Sequence, residues 1–467
     1  MSFVEPVFAL FLLVVLAVFL ALPSLRLQLS WLLAASYLFY AWWDPRFLVL
    51  LLTSSAVDFL VGLAIPRARS AAGKKGLLVL SLAVNLGLLG TFKYAGFFTE
   101  SLARAVERLG LTLDVPTVDL ILPIGISFYT FQTLSYTIDV YRGKIEPCRS
   151  PLQFFFFVAA FPQLVAGPIV RARELLPQFH GDLRERIRTG GLFLVLYGVF
   201  KKVCVADPLA ALVVDPVFGA SAQYDSWSHM LAVYGFAFQI FLDFSAYTDI
   251  ARGCGRLFGL ELPINFRTPY FASNPTEYWN RWHITLSTWM RDYLYYPLGG
   301  NRKGALRTYV NVMIVVVLGG LWHGAAWHFI VWGGLHGVLF VIYSLLPQPA
   351  EPQSRLRQMI GVLVFFHLGS FARVFFRADS FASGVSFISD GFSIGAVGAT
   401  LGETAYFFLL CGLLLHNYAE PRLERWAEGF DNQRSWLLAL VAIATLTACV
   451  LISYRFRAHQ AFIYFQF

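Results

Sequence analysis

Long uncharged stretches dominate the chain. Residues 6–25, 120–138, 150–170 and 435–454 contain no Asp, Glu, Lys or Arg. Each is close to the ~20 residues that an α-helix needs to cross a hydrocarbon core of ~30 Å. Residues 308–350 are free of these charges throughout, which is room for two spans in succession. Shorter apolar blocks lie at 27–43, 47–65, 77–92, 189–200, 226–242, 358–372 and 404–419. Together the blocks predict about ten to thirteen membrane helices. Their apolar residues run on without alternating, so helices are expected and a β-barrel is not.

Composition agrees with this pattern. Of 467 residues, 57% are hydrophobic and 14% charged, against ~25% charged in ordinary soluble domains. So few charges cannot coat a soluble globule. The first apolar block has no basic segment before it, only Glu5, and reads as the first span, not a cleaved signal. The net charge of +8 is spread over loops, as at Arg67, Arg69, Lys74 and Lys75, then Arg184, Arg186 and Arg188. That is the cytoplasmic loop bias of a multi-pass membrane protein, with lipid and not nucleic acid as its surroundings. Five isolated cysteines at 148, 204, 254, 411 and 449 form no paired motif and are expected to be inert. The expected fold is all-α and polytopic: one membrane-embedded domain over 1–467, with its core motifs in 120–340 and an aromatic tail at 455–467. No convincing internal repeat is present, which counts against transporter folds built on repeats.

One span is interrupted. "FPQLVAGPIVRARELLPQF" sets Pro162, Gly167 and Pro168 in or just after an apolar run. Proline removes a backbone donor and clashes with the preceding turn. Two readings stay open: a broken helix lining a cavity, or a loop leaving the bilayer.

Three stretches hold candidate chemistry. In "SNPTEYWNRWHITLSTWMRDYLYYPLGG" (273–300), Asn274 can cap a helix, with Pro275 first and Glu277 third, a capping-box pattern. The spacing predicts one interfacial helix running to Pro297. Trp282, Leu286, Trp289 and Tyr293 form its apolar stripe; Arg281, Thr288, Arg291 and Asp292 face away. His283 follows Trp279 by one turn and lies near Asn280.

In "GGLWHGAAWHFIVWGGLHG" (319–337), His323 stands deep in the charge-free block. An ionisable group at membrane depth is a functional candidate. Gly320 and Gly324, and Gly333 and Gly337, are spaced four apart, which lets helices approach closely. Trp322, Trp327 and Trp332 are expected to wall the imidazole. A desolvated, neutral histidine suits a general base. His328 and His336 better fit the role of helix staples bonded to carbonyls. On one continuous helix they would lie ~140° and ~220° from His323, which argues against a three-histidine metal site. In "QIFLDFSAYTDIARGCGRLFG" (239–259), Asp243 and Asp249 interrupt an apolar span. Arg252 follows Asp249 by three residues, the spacing of a buried ion pair; a part in shaping a cavity is the alternative. The chain closes on "RFRAHQAFIYFQF". This reads as an interfacial anchor or as a docking peptide presenting the hydroxyl of Tyr464.

Taken in order, "LPIGISFYTFQTLSYTIDVYRG", "FPQLVAGPIVR", "DFSAYTDIARG", "WNRWH" and "GGLWHGAAWHFIVWGGLHG" resemble the membrane-bound O-acyltransferases, in the branch of the alginate O-acetylase membrane subunit. The resemblance covers most of the chain. It implies a tunnelled helical fold and an essential histidine at His323, with Trp322 and Gly324 beside it. A second polar position falls at His283, with Asn280 and Trp279 near it. Asp243, Asp249, Arg252 and Pro168 are implied as cavity or structural support. The terminal "FIYFQF" is similar to a motif whose tyrosine is thought to carry acyl groups, which would make Tyr464 a relay. Arg455 and Arg457 favour a cytoplasmic tail by charge bias. The implied donor is acetyl-CoA, with no metal. The implied acceptor is an exported polysaccharide, reached directly or through an extracytoplasmic transferase partner. Two other readings stand beside this one: transfer of D-alanine or another acyl group to a cell-wall polymer, and a transporter of lipid-linked sugars without enzymatic activity.

Overall fold

The computed structural model describes residues 1–111, 120–165, 167–347, 354–391, 398–431, 435–456 and 460–463. These residues form helices and turns. The only strand-like pairing among them is one isolated bridge between Tyr224 and Ala399. The all-α polytopic fold expected from the apolar blocks is what forms. Seven described helices are long and apolar enough to cross a membrane: Pro45–Arg67, Ala71–Arg108, Ser226–Leu257, Ala305–His323, Trp327–Leu345, Arg355–Arg377 and Leu437–Phe456. The larger number expected from sequence included blocks that fold into shorter helices. Among these are Pro6–Ala21, Leu25–Ala41 and Ile126–Tyr141, of 16, 17 and 16 residues. The most apolar window of Ser226–Leu257 is 89% buried, and that of Leu437–Phe456 only 11%. The first is therefore a core helix and the second faces outward.

The described residues fall into two compact units. One comprises Met1–Arg188 with Cys254–Leu262, the other Thr189–Gly253 with Pro263–Phe467. In the first unit, the helices Leu48–Ala64, Ala71–Leu89 and Ile126–Tyr141 pack around the fully buried Asp58. Asn85 donates to its carboxyl group at 2.7 Å, Thr137 at 2.7 Å, and Ser81 hydrogen-bonds it closely. Such a group is tolerated in an apolar interior only when its oxygens are satisfied. The interrupted span of this unit is a helix, Pro151–Ala159, then one turn, Phe161–Leu164. The backbone from Gly167 to Arg171 is non-helical yet buried. Gly125 begins the neighbouring helix at φ +78°, and a Cβ there would lie 2.6 Å from the Leu164 carbonyl oxygen. Only glycine meets both demands.

In the second unit, the helix Gly190–Phe200 does not end where its apolar run meets two lysines. It continues through widened turns, Lys201–Ala206 and Ala210–Val214, to Gly219. Helices Ala305–His323 and Trp327–Leu345 form a tight hairpin. A Cβ on Gly320 would collide with the Phe329 carbonyl, and one on Gly333 with that of Val316. The small-residue spacing does bring two backbones together.

Removing the Asp58 carboxyl leaves buried Ser81, Asn85 and Thr137 short of an acceptor. Asp58→Ala is expected to lose ~1–3 kcal/mol or more of stability and Asp58→Asn less. Thermal unfolding of the detergent-purified protein, followed by fluorescence-detected size exclusion, measures the difference.

Candidate functional site

The hairpin sets the geometry. His323 is the last residue of Ala305–His323, and the chain turns at Gly324. A Cβ at Gly324 would run into the Phe329 ring. The His323 side chain is 4% exposed. Trp322, Trp332 and Phe376 meet its ring nearly edge-on at centroid distances of 5.0, 5.1 and 5.2 Å. Two of the three expected tryptophan walls are present. Trp327, expected as the third, is 56% exposed, at the first residue of the second helix.

The stretch 273–300 is not one helix. Asn274 caps Pro275–Trp279 through the Glu277 N–H at 2.9 Å. The Glu277 carboxylate reaches back to the Ser273 N–H at 2.8 Å. The chain then breaks, and His283 takes the left-handed conformation, φ 42°, before Ile284–Met290. Asn265 holds the break: its carbonyl accepts from Ile284 N–H at 2.9 Å, and its side-chain oxygen from Thr285 N–H at 3.2 Å and the Thr285 hydroxyl at 3.0 Å. The expected stripe survives, for Trp282, Leu286, Trp289 and Tyr293 are all buried. His283 is fully buried, 4.7 Å from Phe244 and 5.7 Å from Trp322 by ring centroids. It lies outside the spanning helices. Burial pushes its pKa down to about 3, so the ring is neutral at ordinary pH. The His283 and His323 rings are 6.5 Å apart.

A cavity of about 330 Å³ opens beside His323. Trp279, Asn280, Arg291, Trp332 and His336 line it, with an apolar floor from Val312, Val315 and Val316. The structure therefore brings His323, Asn280 and Trp279 to one cavity and sets Trp322 and His283 behind it. His336 was expected to be a staple. His328 does bond the Phe375 carbonyl, at 2.9 Å, but among the described residues neither ring nitrogen of His336 has a hydrogen-bond partner. The ~220° between His336 and His323 holds only on one continuous helix. With the turn between them, both reach the same cavity.

Asp243, Asp249 and Arg252 form a separate charged cluster. Lys201 bonds Asp249 at 2.6 Å and Glu420 at 2.7 Å. Arg252 lies 3.9 Å from Asp249, as its spacing suggested, but its close partner is Glu424, at 2.6 Å. Lys202 bridges Asp207 at 2.7 Å and Asp243 at 3.0 Å. Asp249, Arg252, Glu420 and Glu424 line a second, polar cavity of about 210 Å³. Lys201 and Lys202 lie just beyond the apolar block 189–200 and so fall outside the span expected from sequence. Two adjacent lysines inside an otherwise apolar run were the available signal. Pro168 belongs to the other unit, in the buried non-helical segment described above.

Residues 460–463 are anchored beside this cluster. Ile463 N–H donates to Asp243 at 2.9 Å, Lys202 reaches the Ala461 carbonyl at 3.4 Å, and Phe462 stacks on Tyr247 at 3.9 Å. Tyr464, the candidate relay, lies outside the described residues.

Residues 146–373 match the family model of the membrane-bound O-acyltransferases. The chain is 42% identical to the probable alginate O-acetylase AlgI of Pseudomonas putida, over 73% of its own length and 71% of the relative's. It is 33% identical to the peptidoglycan O-acetyltransferase of Helicobacter pylori, over 94% and 91%. A more distant match is the teichoic acid D-alanyltransferase of Bacillus subtilis, at 26% over 57% and 71%.

Lys202 neutralises two buried carboxylates, so removing it leaves both uncompensated. Lys202→Met is expected to cost ~3–5 kcal/mol, and adding Asp207→Asn and Asp243→Asn should recover a large part. Thermal denaturation of the three proteins in one detergent tests this.

Proposed function

The chain belongs to the membrane-bound O-acyltransferase family, and from that we propose that it moves acetyl from cytoplasmic acetyl-CoA toward the hydroxyls of an exported polysaccharide. Delivery is direct or through an extracytoplasmic transferase partner, across a bacterial inner membrane. The observation that carries this reading is His323, a buried imidazole among aromatic rings at the wall of a largely apolar cavity. Two of the relatives are named for O-acetyl transfer, one to alginate and one to peptidoglycan, and these suggest the acceptor class. Membership in an acyltransferase family sets aside the transporter reading. D-alanyl transfer stays as the second reading, on the match to a D-alanyltransferase.

The residues suit the chemistry. A neutral His323 takes the proton of an attacking hydroxyl, whose oxygen then bonds the thioester carbonyl carbon. The C–S bond breaks, and the proton passes from His323 to the departing thiolate. Base catalysis of this kind contributes ~10²–10⁴-fold, and alignment in the cavity adds to it. Asn280 lies on the same wall and is assigned to orient the reacting groups. His283, fixed in its left-handed turn, backs the base through Trp322. Thioester chemistry here calls for an apolar, water-poor wall, which the valines and tryptophans supply.

Tyr464 is proposed as the relay that accepts acetyl before the final acceptor does. Support comes from the residues just before it: Phe462 lies 6.0 Å from Phe244, and Phe244 lies 4.7 Å from His283. A chain anchored at Ile463 can present its next residue near the histidines.

The decisive measurement is the O-acetyl content of surface and secreted polysaccharide in a deletion strain. Wild type should restore acetylation. His323→Ala at equal membrane abundance should restore none that can be measured, consistent with a loss of ~10²–10⁴-fold. Full restoration by His323→Ala would sink the mechanism. Tyr464→Phe should fail as well, and full acetylation with that variant would remove the relay. Release of free CoA by the purified protein from acetyl-CoA, set against a D-alanyl carrier protein, separates the two donors.

A further inference from the structure

Two buried polar side chains line the cavity beside His323 and hydrogen-bond to nothing among the described residues. One is the indole N–H of Trp332, in a side chain 4% exposed. The other is the His336 imidazole, 1% exposed. A buried donor without an acceptor costs ~1–3 kcal/mol, so such groups in a cavity wall are usually completed by a ligand, a water or an ion. Both sit on Trp327–Leu345, one turn apart, with ring centroids at 5.0 Å. Both are fixed. Trp332 meets His323 edge-on at 5.1 Å, and His336 stacks on Tyr278 at 5.9 Å with 15° between the planes. Behind Tyr278 in the chain of contacts stands Arg373, which is 3% exposed and donates to the Tyr278 hydroxyl at 3.0 Å. Its guanidinium packs over the rings of Tyr270, Tyr278 and Trp282. Among the described residues it has no carboxylate partner within ion-pair distance. The cavity wall therefore offers two N–H groups and, one ring removed, an uncompensated positive charge.

We propose that Trp332 and His336 form the cradle for the carbonyl oxygen of the acyl donor. This rests on the reading that the cavity at His323 receives an acyl thioester. As the hydroxyl oxygen attacks and the carbonyl π pair moves onto oxygen, the Trp332 N–H and one His336 N–H donate to the developing oxyanion, and Arg373 adds a favourable field. Fixed donors in a water-poor site stabilise such charge without reorganising. When the C–S bond breaks, the pair returns to re-form the carbonyl and the thiolate leaves with the proton that His323 took. His336 thereby differs from His323 in role: it donates throughout and takes no proton. The chemistry recognised is a carbonyl with a hydrogen-bond-accepting oxygen, so the cradle reads the acyl carbonyl and not the chain beyond it.

The test is a binding cycle on the purified full chain in nanodiscs. Two unreactive CoA derivatives of equal length serve as probes: S-acetonyl-CoA, which keeps a carbonyl, and S-propyl-CoA, which lacks it. A neutral hydrogen bond is worth roughly two- to tenfold in affinity. Wild type should prefer the acetonyl probe by roughly that factor for each donor. Trp332→Phe and His336→Phe should each lower the preference, and the double variant should bring it near unity. His336→Gln, which keeps an N–H, should retain more of it than His336→Phe. His323→Ala should keep the preference while losing transfer, which separates the cradle from the base. Affinity for plain CoA, unchanged across the set, reports an intact fold. If a phenylalanine variant does not fold, the comparison of His336→Gln with wild type carries the test through the transfer rate. A wild-type preference that survives both phenylalanine variants overturns the cradle. Failure of wild type to bind either probe overturns the donor assignment itself, and the cradle falls with it.

Discussion

The contact between Gly320 and Gly333 is the constraint from which the site's geometry follows. A Cβ on either would strike a carbonyl of the facing helix. In lipid there is no hydrophobic drive to bring apolar helices together, so close backbone packing has to do it. That approach permits a turn of three residues, Gly324 to Ala326, between the helices. The end of one helix and the first turns of the next then face the same space. His323 comes from the first, and Trp332 and His336 from the second. Wider packing would move the imidazole away from the indole that contacts it at 5.1 Å. These two glycines are thus positioning devices, although they do not line the cavity.

The charged cluster answers a different demand. Lys201 and Lys202 are 0% and 1% exposed, inside a helical run flanked by apolar residues. A charge at such a place persists only with partners. Adjacent residues on a regular helix point ~100° apart. Here the helix widens at Lys201–Ala206, and both ammonium groups find carboxylates: Lys201 on Asp249 and Glu420, Lys202 on Asp207 and Asp243. Widened turns of this sort recur where a helix must accommodate side chains that regular geometry would misplace. Asp243 is used twice, since it also receives the Ile463 N–H. The same carboxylate that neutralises a lysine anchors the segment leading to Tyr464.

The fold class and the close approach of helices beside His323 were legible because each rests on one strong local signal, uncharged length in the first case and glycine spacing in the second. The long-range partners were not. Nothing near Arg252 in sequence announces Glu424, which lies 172 residues away and takes the 2.6 Å contact, while Asp249, its near neighbour, stays at 3.9 Å. Local spacing shows that a pair is permitted, and tertiary packing decides which pair forms. His336 was misread for a similar reason. Its angular place was computed on a helix that ends thirteen residues earlier, so a correct period led to a wrong face.

The break at His283 is the clearest case of a pattern that was right in its face and wrong in its backbone. The stripe of Trp282, Leu286, Trp289 and Tyr293 is buried as an unbroken helix would have it. On such a helix His283, the neighbour of Trp282, would turn ~100° away toward the polar side. Instead Trp282 is 3% exposed and His283 0%. A non-glycine residue at φ 42° costs ~1–3 kcal/mol, and it persists only where surrounding bonds over-determine it. Asn265 supplies those bonds from both its backbone and its side chain. The left-handed turn lets two successive rings be buried at once. One joins the aromatic stripe, and the other fits between Phe244 and Trp322, behind the imidazole that faces the cavity. Strain held at one residue is what adds a second histidine to the site, and no periodicity in the sequence could have displayed it.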